Sequence, residues 1–371
     1  MRARLIRFSL GLLASMALLA AACGSGGDPA GGEDGAGAGA GDDGAGSGGG
    51  GGGGGGDDGA GGGDGAGDDA GGGCAIDGDP FDPAALRAGV EFLASDELAG
   101  RAPGTAGDAA ARMHIEERFR CLGLTAAGPG GSFQQPFEAP DGLETANVVA
   151  YAPGSDAALS SEVIVVGAHH DHLGTMGGEV YNGANDNASG VTAMLAVAQA
   201  IQRRGTPPRR TIVFAAFGYE ENVGDCLGSE FYVDNAPEGL PIDRVVYMVN
   251  SDMVGTYPSE EQVSAYGSVP GTPGRALLDD LVAGQADMTF QLGDTADEDD
   301  SDFQAFCDLG IPYVYFETWD EECYHSPCDD ADRLDYEHMS SLAALMKDLV
   351  IGLADTDADL AAARGQGACP L

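Results

Sequence analysis

Basic residues are scarce in this sequence. Its 371 residues include 17 Lys and Arg against 60 Asp and Glu, which gives a formal net charge of −43 at pH 7. Lys347 is the single lysine. Such a surface repels nucleic acid and anionic lipid, keeps a protein soluble and attracts cations. We therefore expect no nucleic-acid partner.

Long apolar runs are also missing. The apolar stretch at 8–22 is too short to span a bilayer comfortably, and three arginines precede it within the first seven residues. This arrangement is typical of a cleaved export signal, here residues 1–22. The residues before Cys23 resemble a bacterial lipobox, so we expect a lipidated Cys23 to be the protein's only attachment to a membrane. The alternative is ordinary cleavage followed by free secretion.

The next stretch has too little apolar surface to fold. Residues 23–73 are almost entirely Gly, Ala, Asp and Ser after Cys23, which predicts a disordered linker that tethers the rest of the chain to its lipid anchor. Residues 74–371 can form one large domain with a substantial core. We expect an exported, monomeric lipoprotein of the bacterial cell envelope, at the outer membrane or cell surface, unless it is secreted.

Cysteine usage agrees with export. Eight cysteines fit an oxidising compartment, where disulfides persist. Cys323 and Cys328 bracket the segment 324–327, and a disulfide between them would form a short ring that restrains His325. The sequence does not pair the other cysteines.

The folded part alternates strand and helix patterns. The apolar run at 163–166 ends at Gly167 and is typical of a parallel strand covered on both faces. Further strands are predicted at 133–137, 146–151, 211–217, 244–250 and 311–316, and helices at 83–95, 104–122, 189–203 and 338–353. The alternation predicts an α/β fold, a three-layer α/β/α domain with a mixed, mostly parallel central sheet.

Imidazole and carboxylate side chains follow the ends of these strands. They come from separate loops, and the carboxyl ends of parallel strands bring such loops to one edge of the sheet. Imidazole nitrogen and carboxylate oxygen are ligand types that suit zinc. The candidate ligands are His169, Asp186, Glu221, Asp252 and His325. The spacing of His169 and Asp171 allows this carboxylate to accept the other ring N–H of a metal-bound histidine.

Five segments carry a family resemblance. They are GAHHDHLG, NGANDNASG, FGYEENVGDCLGS, VNSDMVG and ETWDEECYHSPCDDADRLD, and their order and spacing resemble the metal-site blocks of the secreted di-zinc aminopeptidases of the bacterial leucyl aminopeptidase type. That family is related to glutamate carboxypeptidases and glutaminyl cyclases. The resemblance implies two zinc ions. His169 and Asp252 would bind one, Glu221 and His325 the other, and Asp186 both.

The resemblance also implies catalytic roles on peptide substrates. Glu220 would be the general base, Asp171 would orient His169, and Tyr324 would hydrogen-bond the developing oxyanion. It further implies a cis peptide bond between Asp186 and Asn187. His170 and His172 are expected to pack around the site without binding metal, and Phe303 stands where the family often has histidine.

Several functions remain open on the same fold. The leading hypothesis is a metallo-exopeptidase that removes N-terminal residues with a water activated by two zinc ions. A carboxypeptidase, a glutaminyl cyclase with a single zinc, and a non-catalytic receptor-like module are the alternatives. The chain is poor in arginine and offers no evident basic clamp for a substrate carboxylate, which favours the aminopeptidase.

Overall fold

The computed structural model describes residues 78–221, 226–257, 262–294 and 301–366. The predicted export signal, the lipidation site at Cys23 and the predicted linker lie outside the described residues. Within the described residues, no helix combines the length and apolar character needed to cross a membrane.

In the part of the chain that the structure describes, eleven strands form a nine-stranded sheet and a separate two-stranded hairpin. They are β1 Thr125–Ala126, β2 Gln134–Glu138, β3 Glu144–Ala152, β4 Val163–His169, β5 Gly174–Met176, β6 Glu179–Tyr181, β7 Thr211–Phe217, β8 Val245–Ser251, β9 Gln262–Tyr266, β10 Thr289–Leu292 and β11 Tyr313–Glu317. The large sheet has the order β1-β3-β7-β4-β8-β11-β9-β10, with β2 also paired to β3, and β5 and β6 form the hairpin.

The four central strands, β7, β4, β8 and β11, run parallel. Antiparallel ladders join β3 to β1, β2 and β7, and β9 to β11, while β9 and β10 pair in parallel. The sheet is therefore mixed, with parallel pairing concentrated at its centre. All seven residues of both β4 and β7 are buried, as expected for strands covered on both faces.

Seven helices complete the domain's regular structure among the described residues. They are α1 Pro83–Leu93, α2 Ala106–Cys121, α3 Gly190–Arg203, α4 Leu227–Asp234, α5 Pro273–Ala283, α6 Phe303–Cys307 and α7 Tyr336–Asp355. The helices α1, α2, α3, α5 and α7 share one apolar cluster with strand residues such as Ile164 and Val166. The helices α4 and α6 share a second cluster with Val163 and Val165. Alternate residues of β4 therefore serve opposite faces, and the layers are α/β/α.

Close packing explains the glycine near the end of the central strand. A Cβ atom on Gly167 would lie 2.6 Å from the Phe217 ring and 2.7 Å from the Met248 methyl group. Both distances are shorter than van der Waals contact, so glycine lets β4 approach its neighbours just before His169.

The predicted elements agree with the structure apart from their boundaries. The strand predicted at 211–217 coincides with β7, and the helix predicted at 338–353 is the longer α7. The α/β/α prediction is confirmed. The hairpin, β1, β9, β10 and helices α4 to α6 were not predicted. Most of these strands are short and only half-buried, as in β10, so their sequences lack a strong periodic pattern.

A buried arginine connects three segments beneath the sheet edge. Arg101 is 1 % exposed and donates hydrogen bonds to the carbonyl oxygens of Leu93, His170, Asn182 and Gly183 at 2.6 to 2.9 Å. Burial lowers its pKa to about 10. One side chain thus anchors the end of α1, the residue after β4 and the loop before α3.

We expect Arg101→Leu to lower the free energy of unfolding by about 3–5 kcal/mol, because four buried carbonyl groups lose their donor. The measurement is denaturant unfolding at neutral pH. The control is Arg87→Leu, which removes an exposed arginine that pairs with Glu91, and it should change stability by no more than about 1 kcal/mol. Equal effects of the two variants would contradict a structural role for Arg101.

Candidate active site

The predicted ligands converge at the carboxyl ends of the central strands. His169 is the last residue of β4, Glu221 follows β7, and Asp252 follows β8 directly. His325 lies in the loop after β11, and Asp186 lies in the helical turn Ala184–Ser189 that leads into α3. Strand ends and loops from five parts of the chain therefore meet at one edge of the sheet.

The distances divide the cluster into two halves joined by one carboxylate. Nε2 of His169 lies 3.1 Å from Oδ1 of Asp252 and 3.4 Å from Oδ1 of Asp186. Nε2 of His325 lies 2.9 Å from Oε2 of Glu221 and 3.3 Å from Oδ2 of Asp186. The two oxygens of Asp186 therefore face different histidines, which is the arrangement required of a bridging ligand.

The donor atoms fit a cation. One ligand atom from each of His169, Asp186 and Glu221 lies within 4.8 Å of the others, and the same holds for His169, Glu220 and Asp252. Imidazoles and carboxylates are ligand types of zinc, and a cation offsets the cost of burying several like charges together. The chemistry of the residues therefore fits a metal centre.

Protonation in the site reflects this crowding of negative charge. Burial raises the pKa of Glu220 well above its ordinary range, and the neighbouring charges of Glu221 and Asp252 raise it further. Burial opposes the charged form of His325, but hydrogen bonds with Asp186 and Glu221 raise its pKa to about 10. The protonated imidazole of His325 therefore supplies positive charge next to the carboxylates of Asp186 and Glu221.

Asp171 contacts the site differently from the sequence expectation. Its carboxylate is fully buried and accepts the backbone N–H groups of Glu220 at 3.0 Å and Glu221 at 3.3 Å. The carboxylate lies 3.9 Å from Nδ1 of His169, too far for a hydrogen bond, whereas the backbone oxygen of Asp171 lies 3.3 Å from that nitrogen. Its carboxylate therefore positions the two glutamates, and its main chain faces the histidine.

The loop that carries His325 is closed by a disulfide, as predicted. Cys323 and Cys328 are bonded, with their Cα atoms 5.4 Å apart. Within this ring, the Tyr324 ring stacks on His325 at 3.9 Å between centroids, and Trp319 contacts Tyr324 at 4.6 Å. Tyr324 is 40 % exposed, so its hydroxyl-bearing ring lies at the open side of the site. The Asp186–Asn187 peptide bond is cis, also as predicted.

The two extra histidines pack around the ligands. Nδ1 of His172 lies 2.5 Å from Oε1 of Glu221, and Nε2 of His170 lies 3.2 Å from Oδ1 of Asp108 on α2. Both imidazoles are buried. His172 thus supports a ligand carboxylate, and His170 connects the strand end to a helix.

Sequence reasoning missed the support of Asp252. Ser301 donates to Oδ2 of Asp252 at 2.9 Å and accepts from the Asn250 amide at 2.8 Å. Next to Ser301, burial raises the pKa of Asp302 to about 8. Phe303, which replaces an expected histidine, stacks on Tyr313 at 4.6 Å. The sequence feature that could have indicated this support is the Ser301-Asp302-Phe303 block. The block alone does not reveal that Ser301 contacts Asp252.

A cavity of about 920 Å³ lies beside the loop that carries His325, and none of the predicted ligands lines it. Trp319 lines this cavity and contacts Tyr324, which stacks on His325, so the cavity borders the site. Its charged lining residues are Glu317, Asp320, Glu321, Glu322, Arg333 and Asp335. Arg333 already pairs with Asp320 and Glu322 at 3.2 Å. The lining is therefore predominantly acidic.

An α/β/α fold with this cluster at the strand ends defines a protein of the metallopeptidase class. The family relationship is specific. The chain belongs to peptidase family M28, whose model matches residues 147–350.

Individual comparisons agree with this membership. The chain is 28 % identical over 267 residues to leupeptin-inactivating enzyme 1 of Streptomyces exfoliatus. The aligned region covers 64 % of this chain and 53 % of that protein. It is 30 % identical over 203 residues to aminopeptidase YwaD of Bacillus subtilis, covering 50 % and 40 % of the two chains. The chain thus spans about half the length of these curated relatives.

A solved structure shares the fold. The aminopeptidase from Aneurinibacillus sp. strain AM-1 superposes with a TM-score of 0.59 at 18 % identity, and the match covers 74 % of this chain and 95 % of that one. The similarity confirms the three-layer architecture.

We expect metal removal to destabilise the protein, because the clustered carboxylates then repel each other without a compensating cation. Zinc at about 100 times its dissociation constant contributes about 2.7 kcal/mol, or roughly 5–10 °C in melting temperature. Thermal unfolding with and without a chelator measures the shift. Asp186→Asn should reduce the shift, and the exposed control Asp234→Asn should retain it. Identical melting curves with and without chelator in the wild type would contradict a metal centre.

Proposed function

We propose that this protein is a metallo-aminopeptidase that binds two zinc ions and hydrolyses N-terminal residues from peptides. The observation that carries the proposal is the placement of Asp186 between two histidines, with one carboxylate oxygen facing each. His169 and Asp252 would hold one ion, and Glu221 and His325 the other. Membership of peptidase family M28 and the relationship to aminopeptidase YwaD support this proposal.

The protein's own residues would perform the proton transfers. Bound zinc ions supply a Lewis acid for the scissile carbonyl group and lower the pKa of water. Glu220 would accept a proton from the attacking water and deliver it to the leaving amine. The carboxylate of Asp171 would hold Glu220 in place by accepting the backbone N–H of Glu220. The hydroxyl group of Tyr324 would donate a hydrogen bond to the oxyanion that develops from the scissile carbonyl group.

The charge of the cavity favours an aminopeptidase over a carboxypeptidase. A carboxypeptidase needs a cationic group for the substrate carboxylate. Among the described residues that line the cavity, the one guanidinium is that of Arg333, and two carboxylates already engage it. A free α-amino group is a cation, so the acidic lining favours a substrate's amino terminus.

The number of zinc ions and the presence of a general base distinguish the two remaining alternatives, a glutaminyl cyclase and a receptor-like module. A glutaminyl cyclase would use one zinc ion, whereas the two oxygens of Asp186 lie near different histidines, which supports the proposal of two ions. A non-catalytic receptor-like module would tolerate loss of the general base or of a ligand, and this chain has Glu220 and all of the proposed ligands. A substrate panel tests these alternatives directly.

We expect the zinc-loaded protein to release chromophore from aminoacyl chromogenic substrates with free amino termini, and a chelator to abolish the release. Glu220→Gln should lower kcat by about 10²–10⁴-fold with zinc content unchanged, because it removes the base and leaves the ligands. Glu238→Gln, at an exposed residue outside the cavity lining, is the matched control and should retain activity. Hydrolysis restricted to blocked amino termini, or cyclisation of N-terminal glutamine, would reject the aminopeptidase.

We further propose that the protein is a cell-envelope lipoprotein anchored through Cys23. The short apolar stretch and the lipobox-like residues before Cys23 support this location. The linker composition suits a flexible tether that lets the catalytic domain reach peptides near the membrane.

Cys23→Ser should move the protein from the membrane fraction to the soluble fraction and abolish incorporation of radiolabelled palmitate in the producing bacterium. Acyl chains anchor a protein by burying their methylene groups in the bilayer, so loss of the residue that carries them should release the protein. Substitution of a linker residue, Ser47→Ala, is the control. Membrane association that survives Cys23→Ser would contradict lipid anchoring at this residue.

A further inference from the structure

Asp329 is a buried acidic residue that touches none of the predicted ligand side chains. It is 3 % exposed. Its Oδ1 accepts the backbone N–H of Asn185 at 2.8 Å, and its Oδ2 accepts that of Asp186 at 3.0 Å. Its backbone oxygen accepts the N–H of Ala184 at 3.1 Å. Three consecutive N–H groups of the turn that carries Asp186 therefore bond to one residue.

Asp329 also belongs to the segment that carries the other half of the site. It directly follows Cys328, whose disulfide with Cys323 closes the ring containing His325. One residue thus connects two loops that are far apart in sequence and that each contribute a predicted ligand. Its position fixes the Asp186 turn relative to the disulfide ring.

The same turn is held from its opposite side. Arg101 donates to the carbonyl oxygens of Asn182 and Gly183, just before the residues that bond to Asp329. The turn is therefore held through its carbonyl groups by a buried cation and through its N–H groups by a buried anion. Hydrogen bonds to charged partners are shorter and stronger than those between neutral groups.

The contacts of Asp329 repeat those of Asp171. Asp171 accepts the backbone N–H groups of Glu220 and Glu221 with its carboxylate, as Asp329 accepts those of Asn185 and Asp186. Each buried carboxylate holds two adjacent main-chain donors, one of which belongs to a predicted ligand. The bonds fix the direction in which that ligand leaves the main chain.

We propose that Asp329 is a positioning residue that sets the distance between the carboxylate of Asp186 and the imidazole of His325, and so controls zinc affinity at the Glu221–His325 half of the site. The inference rests on the proposed two-zinc function. Oδ2 of Asp186 lies 3.3 Å from Nε2 of His325, so a small rotation of the turn changes this pair of donors. The pair formed by His169 and Asp252 lies on strand ends, and Asp329 acts on that half through the shared carboxylate of Asp186, so we expect the smaller effect there.

The informative variant is Asp329→Asn. Asparagine keeps the shape of the side chain but offers one acceptor oxygen, and its NH₂ group faces a main-chain N–H in place of the second oxygen. Loss of a group that orients a metal ligand typically costs 10- to 100-fold in metal affinity or activity. We expect one of the two zinc affinities, that of the Glu221–His325 half, to fall by about that factor, with kcat reduced and KM little changed.

Zinc titration of the metal-free full chain against a competing chelator measures both affinities, and steady-state kinetics separates kcat from KM. The matched control is Asp332→Asn, which removes a 92 % exposed carboxylate that pairs with Arg87 in the same stretch of chain. Wild-type zinc affinities and kcat in Asp329→Asn would overturn the proposal. Equal losses at both zinc sites would also overturn it, because they would show no preference for the Glu221–His325 half.

If Asp329→Asn fails to fold, Asp329→Glu tests the same claim. Glutamate keeps two acceptor oxygens but moves them outward by one methylene group. We therefore expect a folded protein whose zinc affinity at the Glu221–His325 half is weakened. Unchanged affinity in this variant would overturn the proposal. Zinc binding is read without substrate, so a wild-type protein that binds two zinc ions but lacks aminopeptidase activity refutes the proposed function and leaves the role of Asp329 testable.

Discussion

The site is governed by the repulsion of carboxylates that are buried together. Four carboxylates lie within 4 Å of the imidazole of His169 or of His325, namely those of Asp186, Glu220, Glu221 and Asp252. Negative charges this close are unfavourable in a low-dielectric environment without compensating positive charge. The carboxylates of Asp171 and Asp329 are close to this cluster in the chain's fold, and each accepts hydrogen bonds from two backbone N–H groups. The fold therefore concentrates acceptors at one edge of the sheet and requires positive charge there.

The sequence predicted the elements that place this site because each is buried and strongly patterned. The strand at 211–217 coincides with β7, and the run at 163–166 belongs to β4, which delivers His169. Continuous apolar strands and long amphipathic helices are readable from local sequence. The edge strands β9 and β10 and the short α6 depend on neighbours distant in sequence, so local pattern does not reveal them.

The convergence of the predicted ligands could be inferred for a related reason, whereas the residues that support them could not. Each predicted ligand follows a strand or lies in a motif block, and strand ends converge by topology. Asp171, by contrast, was expected to orient His169 through a local His-x-Asp contact, yet its carboxylate bonds to the main chain after β7. The contacts of Asp329 are equally long-range. Side chain to backbone bonds between distant segments leave no periodic signature in a sequence.

The two halves of the site differ in how the chain supports them, and this difference has a physical consequence. His169 and Asp252 extend from adjacent parallel strands of the sheet centre, whose main chains are fixed by ladder hydrogen bonds on both sides. His325 lies in a loop, with a φ of 50° in the left-handed region, and is held by the disulfide ring and by stacking on Tyr324. Strand-borne groups are more precisely fixed than loop-borne ones. The carboxylate of Asp186 connects the two, so the rigidity of its turn, set by Arg101 and Asp329, determines how well the loop-borne half matches the strand-borne half.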